Sequence, residues 1–271
     1  KKEINTINKK INQVEELINH SQKLHKINMD NVCENIGHLS FSEGGNTKSL
    51  GETSHAEGNS CYSIGNNSHA EGNNTKSYGD SSHAEGISNN AYGKSSHCEG
   101  ICNEARGDYS HSEGESNKSL GKCSHSEGEN TQALGLSSHS QGISTISSGI
   151  ASNSGGLDSK AKGDYSYSFG IKNISEGICS TTFGYETISN NNNEFSCGIF
   201  NTLPDNERVF SVGIGDSAIN RKNGIEIFKD GNVNLNLLNI NNDLRIDGDI
   251  LIPTKNNIEL ENNIDYLNVI S

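Results

Sequence analysis

The 271-residue chain carries 30 Gly, 2 Pro, one Met and no Trp, and 30 % of its residues are hydrophobic without glycine; even with glycine counted the share stays below the roughly 45–50 % of ordinary globular domains. Such a chain cannot close a conventional core; it needs a fold that buries small side chains and backbone, or partner chains that complete its interior. The net charge of −13, from 21 Lys+Arg and 34 Asp+Glu, disfavours capture of nucleic acid or an anionic membrane, since phosphate binding rests on a basic surface. No run of about 18 apolar residues is present, so no transmembrane helix is expected. Position 1 is not Met and no signal-peptide pattern follows, as expected of a fragment or a processed product. Cys33, Cys61, Cys98, Cys102, Cys123, Cys179 and Cys197 form no CxxC pair and are odd in number. They read as mostly free, small side chains and not as a disulfide framework or a zinc site.

In the first 30 residues, Ile4, Ile7, Ile11, Val14 and Ile18 recur at alternating steps of 3 and 4, with Lys, Glu, Asn and Gln between them. This is an a/d coiled-coil seam, and β-branched residues at both positions favour more than two strands. After Ile18 the seam falters at Ser21 and His25, so the helix should fray before the next segment.

From residue 37 to 200 the chain is a repeat. Glycine recurs at every fourteenth position from Gly44 to Gly198, and a second series runs halfway between, from Gly51 to Gly177. Around the first series the text is SHAEG at 54–58, 68–72 and 82–86, then SHCEG, SHSEG twice and SHSQG at 138–142. With the Ser of each motif as slot 1, the residues at slots 1, 3, 5, 8, 10 and 12 read as small. Alternation of period two means strand with one face inward. Two short strands per repeat, each lined with Ser, Ala and Gly, describe a flattened solenoid whose walls lie too close for bulky side chains. Turn residues such as Asn59-Ser60 and Asn66-Asn67 connect them. Some eleven coils, at a strand spacing of about 4.8 Å, give a roll roughly 50 Å long.

This 14-residue pattern resembles the YadA-like head repeat of trimeric autotransporter adhesins, and its SHAEG form is similar to the repeats of phage tail-fibre proteins. The resemblance covers residues 37–200. It implies a mainly β fold, a left-handed parallel β-roll, assembled as an obligate homotrimer with three rolls around one axis.

Slots 2 and 4 point outward from one wall, slots 9 and 11 from the other. Slot 2 holds His55, His69, His83, His97, His111, His125 and His139; slot 4 holds Glu57, Glu71, Glu85, Glu99, Glu113 and Glu127, with Gln141 closing the series. Toward the ends these slots turn aromatic, at Phe41, Tyr167, Phe169, Phe183 and Phe195. A position that switches between His/Glu and aromatic residues reads as a contact surface, which places this wall at the trimer interface, as the resemblance also implies. Many adhesin heads carry aliphatic pairs here, so His and Glu are a departure. The ladder reads first as a polar interface in which imidazoles bond carboxylates, and alternatively as a stack that responds to metal or protons. Slots 9 and 11 vary like solvated surface, except that Tyr62, Tyr78 and Tyr92 follow one another along that wall. They form a candidate stacking stripe for a glycan, the plainer reading being ordinary strand tyrosines.

Beyond residue 200 the 14-residue rule fails. Residues 201–271 read as short strands joined by Gly and Asn/Asp turns, and the text FSVGIGDSAINRKNGIEIFKDGNVNL resembles a module found after such repeats in phage tail fibres. Similar fibres often continue into a self-cleaving chaperone released after a Ser; an end at Ser271 fits that processing and equally a truncation of a longer frame. The His and Glu are periodic copies, not one convergent constellation, and no P-loop, GxSxG or HExxH is present, so no enzyme and no cofactor are expected. The expected role is a trimeric fibre of a virion or phage tail. Its partners would be a host receptor or glycan and other tail proteins, without nucleic acid or membrane insertion. The alternative is the head of a bacterial surface adhesin that binds host matrix.

Overall fold

The computed structural model describes residues 13–16, 33–203 and 207–236. Of the expected seam only Val14 lies among them, exposed in the helical turn 13–16; Ile4, Ile7, Ile11 and Ile18 lie outside the described residues, as does everything beyond Asn236.

The described residues form 27 strands, numbered β1–β27 in chain order. Even-numbered strands from β2 (Phe41–Gly45) to β24 (Phe195–Ile199) are five residues long and span slots 2–6. Odd-numbered ones from β1 (Glu34–Asn35) to β23 (Ile188–Ser189) are two residues long and span slots 9–10. The short strands stack into one 12-stranded sheet and the long strands into a second sheet. Both are parallel with a register of one repeat, as in His55↔His69, Ala56↔Ala70 and Gly58↔Gly72. The chain is a parallel β-solenoid of 14-residue coils. Pairing already begins at Glu34–Asn35, before Gly37.

The stack also outlasts the spacing. β25 (Arg208–Ile214) lies parallel on β24 with Phe195↔Phe210, Ser196↔Ser211 and Gly198↔Gly213 paired, a step one residue longer than the repeat. β26 (Asn223–Phe228) and β27 (Val233–Leu235) then continue the same sheet in antiparallel order.

Two features explain why this text makes these coils. First, every seventh residue from Leu39 to Phe200 has a left-handed backbone, with φ between 43° and 60°. These are the two corners of each coil, at slots 7 and 14, and they include the Ser60 and Asn67 expected in turns. Bulky residues stand there as well, among them Tyr109 and Tyr165. Conformations that cost about 1–2 kcal/mol in isolation persist because from Thr53 onward each corner N–H reaches the coil before it, as Tyr109 does to the Lys94 carbonyl at 2.8 Å. Second, the glycines hold the coils apart by nothing but backbone. A Cβ on Gly100, whose φ is +98°, would stand 2.2 Å from the Gly114 carbonyl oxygen.

The interior is narrow and polar. Ala56, Ala70, Ala84, Ala91, Cys98 and Ala105 are fully buried, together with a Ser at slots 1, 3 or 10 of nearly every coil. Hydroxyls bridge the walls, Ser119 to Ser126 at 2.6 Å and Ser147 to Ser154 at 2.7 Å, so most of the buried polar surface is paired. All seven cysteines are free; burial pushes the Cys98 thiol up to about 12, which leaves it chemically inert.

Slot 8 is not uniformly small. Asn89, Asn103, Asn117 and Asn173 fill it, fully buried. Asn103 Nδ2 donates to the Glu99 carbonyl at 2.6 Å and to the Gly114 carbonyl at 2.7 Å, and its Oδ1 accepts the Asn117 N–H at 2.7 Å. An amide has two donors and an acceptor, enough to satisfy the backbone around the glycine corner in its own coil and the next.

Where the repeat ends, slot 1 changes from Ser to Glu194, and one repeat length further on stands Arg208. Both are fully buried. Arg208 Nε bonds Glu194 Oε1 at 2.7 Å, and Nη1 reaches Thr202 Oγ1 at 2.8 Å and Glu226 Oε1 at 3.1 Å. The other Glu194 oxygen accepts the N–H groups of Asn190 and Asn191, each at 3.1 Å. This charged plug closes the hydroxyl-lined interior.

Candidate functional site: the histidine and glutamate wall

The long strands present slots 2 and 4 on the outside of one sheet, and the one-repeat register sets like on like. The seven histidines from His55 to His139 stack ring on ring, with centroids 4.7–4.9 Å apart and planes within 12° of parallel. That spacing is the strand spacing itself. Each Nε2 is shielded from solvent and has no hydrogen-bond partner within the chain, although each ring is about one third exposed.

Beside them runs the carboxylate row. Imidazole and carboxylate approach without bonding: His69 Nε2 lies 3.7 Å from Glu71, His125 3.6 Å from Glu113 and His139 3.3 Å from Glu127. Glu99 touches two rings at once, His97 through Oε2 and His111 through Oε1, each at 4.0 Å. Glu43, beside Phe41 in the first long strand, belongs to the same row, paired in register with Glu57.

Charge in this row is frustrated. Burial holds His69, His83, His111 and His125 below the usual imidazole range, and neighbouring imidazoles add to it. The carboxyls alternate along part of the row. Hydrogen bonding with Glu99 raises Glu85, and the same neighbour with burial pushes Glu113 up to about 7, while Glu57 and Glu99 are lowered as recipients of such bonds. Stacked carboxylates cannot all ionise, so neighbours share protons.

At both ends the wall turns aromatic, as expected from the sequence. Phe41 tilts over His55 at 5.4 Å. Tyr167, Phe169, Phe183 and Phe195 follow one another at 5.4–6.2 Å, and Phe210 extends the run by stacking on Phe195 at 5.7 Å. Sequence reading missed Phe210 because the step to it is one residue longer than the repeat; the match of FSVG at 210–213 to FSCG at 195–198 was the available signal. The change from imidazole to aromatic happens over Gly155, where a Cβ would stand 2.3 Å from the Phe169 ring.

On the opposite wall Tyr78 and Tyr92 stack at 4.7 Å, and the Arg106 guanidinium covers Tyr92 at 4.9 Å. Tyr62 stands apart at slot 9 with Lys76 over its ring at 5.7 Å. The three do not form one open stripe, and the stacked pair spends ring faces on each other and on Arg106.

No family model and no curated protein matches the chain. Among the described residues no helix is long and apolar enough to cross a membrane.

Proposed function

We propose that this chain is part of a non-enzymatic, homotrimeric fibre of a virion or phage tail, a rigid spacer that serves host attachment through a receptor or glycan. One observation carries the reading: the His/Glu wall is unfinished in a single chain. Seven solvent-shielded Nε2 atoms lack partners, and buried polar groups are normally paired. In line with them, Phe41, Tyr167, Phe183 and Phe195 are 37–54 % exposed, a patch of the kind that marks an interface. Three walls turned toward one axis would cover both. The 14-residue coils, the seam at residues 4–18 and the likeness of residues 210–235 to tail-fibre modules support the same assembly, in which three copies of a weak binding surface gain by avidity. Three left-handed rolls with a coiled-coil stalk are the arrangement we infer.

Sedimentation with multi-angle light scattering tests it. At pH 7.5 the expected species weighs about three times the 29.1 kDa chain; a monomer overturns the fibre reading.

A further inference from the structure

We propose that the His/Glu wall binds divalent transition-metal ions of the zinc class, with His69, Glu71 and His83 as one site and His125, Glu127 and His139 as a second. Both sites draw on one chain's residues alone.

Three observations converge. The first is the donor set. In each triad one ligand atom from every residue lies within 4.8 Å of the others, and two imidazoles with one carboxylate suit zinc and its neighbours in the series. The second is distance. His69 and His139 stand 3.7 and 3.3 Å from their carboxylates without a hydrogen bond between them. Ligands about 2.0–2.1 Å from a tetrahedral zinc stand about 3.4 Å from one another, so these separations fit the edge of such a polyhedron. The two imidazoles must tilt out of their stack to reach that edge, and rings one third exposed have room for it. The third is the orphaned Nε2. Every one along the wall is shielded from solvent and makes no hydrogen bond within the chain, and the imidazole tautomer with its proton on Nδ1 offers a lone pair there to a Lewis acid.

Charge favours the same occupant. The ion pairs among the described residues give the wall glutamates from Glu57 to Glu127 no Lys or Arg partner, only histidines. A divalent ion would neutralise the crowded row where protons otherwise must. Three ligands leave a fourth position for water or for a group from a neighbouring chain.

The experiment uses the whole chain, stripped with a chelator and titrated with zinc chloride by calorimetry and by equilibrium dialysis with metal quantification. The expected uptake is about two ions per chain. His83→Gln should remove one, His139→Gln the other, and the double variant both, while Glu115→Gln with Glu129→Gln, outside both triads, retains two. Cobalt(II) should develop the intense visible bands of tetrahedral coordination, lost in the double variant. Should a His variant fail to fold by circular dichroism, Glu71→Gln and Glu127→Gln serve in its place with the same expected losses. Uptake below one ion per chain, or uptake that the double variant leaves unchanged through histidines elsewhere, overturns the proposal.

Discussion

A single carbon added to Gly100 has nowhere to go: it would meet the Gly114 carbonyl at 2.2 Å in a backbone conformation with φ of +98°. Gly100→Ala should therefore cost at least about 3 kcal/mol in denaturant unfolding. The corners predict the opposite sign. Ala151 holds φ of 49°, so Ala151→Gly should gain up to about 1 kcal/mol, the left-handed strain removed less the added chain entropy. The carboxylate row gives a third test. Glu113 titrates at about 7 in the folded protein, above its unfolded value, so its contribution is present below pH 4.5 and lost as pH rises through 7. Glu113→Gln should match the parent at pH 4.5 and exceed it at pH 8 by roughly 1 kcal/mol after solvent screening, about 2–4 °C in Tm. At this scale the sequence was legible where identity repeats: a glycine at every fourteenth position announces a place where only backbone fits. The left-handed corners were less so, because Tyr109, Cys123 and Ala151 share no turn chemistry; the coil imposes the conformation on them.

Each coil is an element completed by its neighbours, and the ends must solve what the middle does not face. Glu194 and Arg208 do so at one end by filling the serine slot with a buried ion pair. Glu194→Ser leaves the buried Arg208 guanidinium only Glu226 as counter-charge, so it should cost about 3 kcal/mol, and Glu194→Ser with Arg208→Ser should cost less than the single change. The measurement is again the unfolding midpoint. Strand period, wall identity and inward faces could be read from alternation alone. Two things could not. The Asn ladder at slot 8 was hidden because reading for size overlooked that a buried amide can serve three backbone groups at once. The parallel pairing of β25 was hidden because one extra residue erases a fixed spacing without erasing the strand.

For the molecule as a whole, acid is the informative variable. The imidazoles of His69, His83, His111 and His125 are depressed by burial, so the neutral wall is fully stabilising above their unfolded value of 6.5, and that contribution is lost as pH falls through the folded values. Glu57 and Glu99, also depressed, lose theirs as pH falls below 4.5. Only Glu85 and Glu113 oppose the trend. Tm should thus fall between pH 7 and pH 5, and a Tm that rises on acidification would refute this reading of the wall. If three walls meet at one axis, light scattering at pH 5 asks whether the same protons separate the chains. The solenoid could be inferred from the sequence because translation along a stack repeats every contact, and repetition is what a sequence displays openly. What binds the wall is not displayed, since one residue type at slot 2 serves a partner chain, a metal ion or a proton equally well.

The strict pairing of like residues across neighbouring coils makes the molecule a ruler that can be recut. Because coil contacts are copies of one another, excising residues 69–82 should shorten the stack by one strand spacing, about 4.8 Å, and leave every remaining slot in phase. Excising half a repeat would instead exchange the two walls from that point on, turning imidazoles toward the tyrosine side. Reach can therefore change by whole graduations through recombination between nearly identical SHAEG stretches, while the chemistry of each wall is handed on intact.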